Sequence, residues 1–307
     1  MINREEMNDK KTRKVAVIGY GLQGMAVVSR LNSQENQIKV FDLDEKALKL
    51  AANNGISTAS SLRDVVTGAD YILIIVTAGN SAKEILLNPS FLKCLTTEQK
   101  VIQMGTYSPQ DALEIAEQFE SDKIAYVECI LSAPHAAVMA GACFLLYGGN
   151  KNYLNELGDL LKPIGNILYI GDVGKAAIFN LANLNVVFAL INSFALSAAM
   201  IERSDMDLEP WLDFCKSGFG AGADNLFKML TDFFWPAHFK ARTYQIAGPI
   251  QLKTDGAANE TEIITTFTAF LELNTKLTDS IKEAYQEAER NSKGQDWSAV
   301  YEILVPK

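Results

Sequence analysis

Strand-like and helix-like stretches alternate through the first half of this chain, only helical patterning follows in the second, and a long uncharged run joins them. These three observations predict an α/β domain, then an all-α domain, connected by one long interdomain helix. The joining run is residues 171–203, GDVGKAAIFNLANLNVVFALINSFALSAAMIER, with no charge between Ala176 and Ile201. Asp172 is its expected N-cap, and no Pro or Gly interrupts it after Gly174. Asn180, Asn183, Asn185 and Asn192 each need hydrogen-bond partners that lipid does not offer. The run is therefore expected to be a helix buried on nearly every side, and not a membrane span.

In order, Lys14–Ile18 is a short apolar run suited to a strand buried on both faces of a parallel sheet. It leads into Gly19-Tyr20-Gly21-Leu22-Gln23-Gly24, after which Met25–Leu31 reads as helix. Strand, glycine turn and helix in that order form a dinucleotide-binding fingerprint. The first glycine permits the turn, the second lets backbone approach a pyrophosphate, and the third lets helix and strand pack closely. The next strand, Ile38–Phe41, ends at Asp42, where an acid accepts from ribose hydroxyls and repels a 2′-phosphate. NADH is accordingly favoured over NADPH.

The alternation continues with a helix over Asp44–Asn53 stopped by Gly55, a short helix from Ser60 and a strand over Asp70–Val76. Val76-Thr77-Ala78 lies at the carboxyl edge of that strand, where ligands of doubly wound sheets bind. Strand Val101–Met104, helix Ser108–Phe119, strands Ile124–Ile130 and Cys143–Tyr147, helix Tyr153–Leu161 and strand Ile167–Ile170 complete a Rossmann-type domain over residues 13–170, after a polar arm at 1–12. Helices are expected at Leu208–Lys216, Asp224–Phe234, after Pro249, at Glu260–Glu289 and at Asp296–Leu304, making residues 171–307 an all-α domain.

With 307 residues, 48% of them hydrophobic and 21% charged, the chain has an ordinary globular composition. Its net charge of -9 opposes nucleic acid and anionic membrane partners, leaving a small molecule as the expected one. Cys94, Cys129, Cys143 and Cys215 lie far apart with no metal-ligand spacing, so no metal is expected. The polar start, MINREEMNDKK, lacks a secretory core and suggests a cytoplasmic protein.

Several segments carry a resemblance. Gly105-Thr106-Tyr107-Ser108-Pro109 is similar to the Ser-Thr-x-x-Pro that follows a strand in β-hydroxyacid dehydrogenases, keeping the threonine and proline with Gly105 in place of the serine, and Glu128-Cys129-Ile130-Leu131-Ser132-Ala133-Pro134 to their Asp-Ala-Pro-Val-Ser-Gly-Gly, with both glycines replaced. The run Gly171-Asp172-Val173-Gly174-Lys175-Ala176-Ala177-Ile178-Phe179-Asn180-Leu181-Ala182-Asn183 resembles a helix start of imine reductases, as does the closing segment Gln295–Leu304. The chain thus resembles the β-hydroxyacid dehydrogenase superfamily and, within it, the imine reductase branch. The resemblance implies a homodimer with interleaved helical domains, the active site lying between one subunit's sheet domain and its partner's helices. It also places Asn180 where the dehydrogenases have their catalytic lysine and Asn183 on their asparagine. Asn180, Ser132 and Asn183 become the candidate catalytic residues. Thr106 joins Gly19, Gly21, Leu22, Gln23, Gly24, Asp42, Val76, Thr77 and Ala78 as a cofactor contact, while Trp235, His238 and Tyr244 are candidate pocket residues. The implied activity is NAD(P)H-dependent reduction of a C=N bond. Two alternatives stay open: hydroxy-acid dehydrogenation of the ordinary family type, and a dinucleotide-binding protein without catalysis, with Asn180 a satisfied buried amide.

Overall fold

A computed structural model describes residues 12–32, 36–76, 81–216, 253–270 and 275–304. Eight strands form one sheet: β1 Lys14–Ile18, β2 Gln37–Phe41, β3 Ser57–Thr58, β4 Tyr71–Ile74, β5 Lys100–Gln103, β6 Ala125–Ser132, β7 Cys143–Gly148 and β8 Gly165–Gly171. Their spatial order is β3-β2-β1-β4-β5-β6-β7-β8. All neighbours are parallel except β6 and β7, which pair antiparallel with Glu128 opposite Gly148 and Ser132 opposite Phe144. The order reverses between β1 and β4, so the sheet has its switch point beside the glycine turn.

The helices of this half are α1 Leu22–Asn32, α2 Glu45–Asn53, α3 Leu62–Val66, α4 Ser81–Leu86, α5 Pro89–Leu92, α6 Pro109–Ser121, α7 His135–Met139 and α8 Leu154–Leu161. One face of the sheet buries apolar residues of α1, α2, α7 and α8. The other buries those of α3 to α6, together with Ala176 and Ala177 from the start of the long helix. Caps fix several starts: Asp44 accepts from the Lys46 amide and Ser108 from Asp111, as the sequence signals suggest, and Ser61, one residue past the expected Ser60, accepts from Asp64. Strand β3 and helices α4, α5 and α7 were not expected from the sequence. Each is too short for its periodicity to stand out.

The long helix, α9, spans Lys175–Arg203, starting two residues later than a cap at Asp172 would place it. Asp172 does not cap it. Its main-chain oxygen accepts from the Lys175 amide, and positive φ at Gly174 (89°) turns the chain before the helix begins. Nor is the helix enclosed on every side within one chain. Phe179, Ala182, Asn183 and Val186 are exposed, at the i, i+3, i+4, i+7 spacing of one helical stripe. By length and composition α9 would also serve as a membrane span, but it packs here between the sheet and a separate helical core.

That second core is formed by α9, α10 Leu208–Lys216, α11 Thr254–Phe270, α12 Lys276–Asn291, a 3-10 turn at Trp297–Ala299 and α13 Val300–Leu304. The single helix expected over Glu260–Glu289 is two. Gln286 donates to Glu262 at 2.8 Å, a contact possible only if the chain folds back between them. The expected helix at Asp224–Phe234 and the segment directly after Pro249 lie outside the described residues. At the centre Phe188 meets Trp297 and Tyr285 edge-on, with ring centroids 5.3 and 5.4 Å apart. All three rings are fully buried, so Trp297→Ala is expected to destabilise the chain by about 3–5 kcal/mol. Chemical denaturation will read this as a lowered midpoint at unchanged slope, and a loss under 1 kcal/mol would mean that the cluster does not hold the helical core.

Candidate active site and cofactor cleft

The cleft begins at the turn after β1. Gly19 has φ +102°, and a Cβ there would lie 2.0 Å from the Ile75 carbonyl oxygen. A Cβ on Gly24 would lie 2.1 Å from the Gly19 oxygen, whereas one on Gly21 would meet nothing within 4 Å. Gly19 and Gly24 are thus required by packing, and Gly21 leaves open backbone at the N-terminus of α1, where Leu22 is the first helical residue. This suits a pyrophosphate. Beyond β4 the Val76 backbone wedges between Gly19 and Gly105, its oxygen 3.0 Å from where a Gly105 Cβ would stand. The ends of β1, β4 and β5 therefore converge. Gln23 crosses from α1 to donate to the Ala133 carbonyl at 3.1 Å, tying the glycine turn to the loop after Ser132.

Asp42 stands half-buried at the end of β2. One carboxylate oxygen accepts from the Tyr20 amide at 2.6 Å and the other from the Asp44 amide at 2.8 Å. These bonds brace the carboxylate against the glycine turn, and each oxygen keeps a lone pair for a ribose hydroxyl. Next to it Leu43 is 90% exposed, a position from which a cation would reach a 2′-phosphate. The double variant Asp42→Ala, Leu43→Arg is expected to shift preference toward NADPH by about tenfold or more, since it removes a repulsion and adds an ion pair. Paired Kd titrations with NADH and NADPH check this, and an unchanged ratio would show that Asp42 does not read the ribose.

Across the cleft, α9 presents Asn180, 3% exposed, whose Nδ2 donates to Thr106 Oγ1 at 3.2 Å. Two candidates far apart in sequence are thereby brought together. In this orientation no described residue hydrogen-bonds the Asn180 carbonyl oxygen, which remains available as an acceptor. Ser132 ends β6 on the same sheet face as Ile130 and Glu128, the face that α9 covers. Asn183 is not part of the Thr106 pair, since it points outward on the exposed stripe of α9. Thr77, Ala78, Trp235, His238 and Tyr244 lie outside the described residues.

The sequence reading missed Glu128. It is fully buried in the middle of β6, where one oxygen accepts from the Gly174 amide at 2.6 Å and the other from the Ala177 amide at 3.1 Å and the Tyr107 hydroxyl at 3.2 Å. This carboxylate, and not the Asp172 side chain, holds the Gly174 amide just before α9 and the Ala177 amide in its first turn. Tyr107 also pairs with Tyr126 at 2.7 Å, and burial raises both phenols well above their ordinary range. Burial likewise pushes Glu128 up to about 7, against the lowering effect of its amide and hydroxyl donors. The folded value lies above the unfolded one, so this group's contribution to stability falls as pH rises from the ordinary glutamate range through about 7. A charged residue inside the apolar stretch Tyr126–Ser132 was the signal that would have found it.

A sheet with its switch point at an open glycine turn, an acid at the end of β2 and an Asn180–Thr106 pair beyond the end of β5 has the form required by dinucleotide-dependent oxidoreductases. Residues 14–171 match the family of the NAD binding domain of 6-phosphogluconate dehydrogenase, and the chain belongs to that family. It is an NAD(P)-dependent oxidoreductase of the β-hydroxyacid dehydrogenase kind. Among curated proteins it is similar to the 3-sulfolactaldehyde reductase of Escherichia coli, 23% identical over 291 residues, covering 94% of each chain. Among solved structures it resembles the 3-hydroxyisobutyrate dehydrogenase of Mycobacterium tuberculosis, with a TM-score of 0.77 and 18% identity over 95% of this chain and 99% of that one. The imine reductase of Myxococcus stipitatus in complex with NADP+ overlays at a TM-score of 0.60 and 19% identity over 95% and 99%. The superfamily is thereby supported, while the imine reductases stand as more distant structural neighbours than the hydroxyisobutyrate dehydrogenases.

Proposed function

We propose that this oxidoreductase reduces C=N bonds, directing hydride to the carbon of an iminium held beside Asn180. The observation that carries the reading is the Asn180 amide, whose nitrogen is engaged by Thr106 and whose oxygen is left to accept. A reduced nicotinamide dinucleotide supplies the hydride. Reduction of a carbonyl leaves an alkoxide that needs a proton from a nearby acid, and an amide is no acid at accessible pH. An iminium arrives already protonated, so the pocket needs only to orient it, and the Asn180 oxygen accepts from its N–H. Ser132 contributes a hydroxyl at the end of β6 for the substrate or the nicotinamide amide.

Reduction of a carbonyl of the β-hydroxyacid type is the second reading. The names of the E. coli and M. tuberculosis relatives favour it, as do the retained Thr106 and Ser132. Purified protein is to be incubated with NADH and with NADPH against a panel of small cyclic imines, and against a second panel of short aldehydes with the same reduced cofactors and short hydroxy acids with NAD+ and NADP+. Nicotinamide oxidation on imines alone is expected; turnover confined to the second panel would replace the C=N reading. The exposed stripe of α9, apolar at Phe179, Ala182 and Val186, supports a homodimer with interleaved helical domains, for which a single monomeric species in sedimentation velocity would be the contrary result.

A further inference from the structure

We infer that Glu128 is a positioning residue, one buried carboxylate that sets the separation of Thr106 and Asn180 by gripping a neighbour of each. Tyr107, which it holds, follows Thr106 directly in the chain. Ala177, whose amide it caps, lies three residues before Asn180 and on the same side of α9. Glu128 itself is on the strand that ends in Ser132. Three segments that carry the candidate site residues Thr106, Ser132 and Asn180 therefore meet at one side chain, and a 3.2 Å bond joins Asn180 to Thr106.

Two observations argue that the room is built for a carboxylate. Gly148 faces Glu128 across β6 and β7, and a Cβ there would lie 2.3 Å from Glu128 Oε2 and 3.1 Å from the Ala176 Cβ. Any larger residue would drive the carboxylate off the helix end. Second, no ion pair with Glu128 exists among the described residues; amide and hydroxyl donors and the positive end of α9 hold it instead. A carboxylate buried without a cation weakens the fold, and here it lies where it controls the register of α9 against the sheet.

The inference rests on the reading of Asn180, its nitrogen held by Thr106, as the residue that meets substrate, and its test separates the two. Glu128→Gln keeps the shape but replaces one acceptor with a donor that opposes a helix amide. Gly148→Ala leaves the glutamate in place and displaces its carboxylate. Both variants are to be made in the full chain and assayed with the preferred cofactor and substrate, and crystal structures are to be determined. We expect kcat to fall by about tenfold or more in each, with the NAD(P)H Kd within about twofold of wild type, because the glycine turn is untouched. In the structures the Asn180 to Thr106 distance is expected to open beyond hydrogen bonding. A wild-type distance in both variants, wild-type kcat, or a parallel loss of kcat, cofactor affinity and melting temperature would overturn it. If the wild-type protein turns over no substrate, the function reading fails, and the crystallographic distance still decides this one.

Discussion

Gly24→Ala is expected to raise the Kd for the dinucleotide by about 100-fold or to abolish measurable binding, whereas Gly158→Ala, the same chemical change in another helix, is expected to stabilise the protein. At Gly24 the new methyl would stand 2.1 Å from the Gly19 carbonyl oxygen, and that oxygen cannot retreat. Gly19 is fixed by its own turn, with its amide donating to the Phe41 carbonyl at 2.8 Å and Ile75 pressed against its Cα. The start of α1 must therefore move outward, taking with it the amides that face the pyrophosphate. Overpacking of this kind costs ~1–3 kcal/mol in stability alone, and the displaced amides add a loss in binding. In α8 a Cβ on Gly158 would meet nothing within 4 Å, so alanine only removes backbone freedom from the unfolded chain. A gain of about 0.5–1 kcal/mol follows, which thermal melts will read as a rise of about 1–4 °C. Equal cofactor affinity in the two variants, measured by fluorescence titration, would show that the third glycine is not needed for close packing.

That contrast shows which parts of the fold the sequence makes legible. The glycine turn is readable because its constraints are local: strand, turn and helix lie within nineteen residues, Lys14–Asn32, and each glycine has a geometric reason. Helix Leu208–Lys216 is equally local, and its expected bounds match the observed ones. Strand direction is another matter. β7 is as apolar as its neighbours, and a strand buried on both faces reads alike whichever way it runs. The pairing of Asn180 with Thr106 spans 74 residues and depends on where α9 docks, which no periodicity encodes. Glu128 was overlooked for a related reason. Its partners are main-chain amides of Gly174 and Ala177, 46 and 49 residues away, and backbone donors leave no mark in a sequence. Asp172, adjacent to the helix start, offered a local cap that the fold does not use.

Residue 180 should separate the two chemistries in opposite directions. Asn180→Ala removes the acceptor that orients an N–H and releases Thr106 from its bond. A hydrogen bond to a charged partner contributes ~1.5–3 kcal/mol, so imine turnover should fall about 10- to 100-fold while NAD(P)H affinity stays within about twofold. Asn180→Lys is the sharper experiment. Position 180 is 3% exposed, so an ammonium placed there is poorly solvated and lies where the iminium has to sit. Like charges in such a pocket repel, and imine reduction should be lost outright. The same ammonium is an acid beside Thr106, and a positioned acid contributes typically ~10²–10⁴-fold to a reaction that ends in an alkoxide. Carbonyl reduction, or its reverse on a hydroxy acid, should therefore appear or rise in Asn180→Lys as imine turnover disappears. Should the lysine variant reduce imines as well as the wild type, Asn180 does not face the reacting nitrogen, and the amide is only a satisfied polar group in a buried helix.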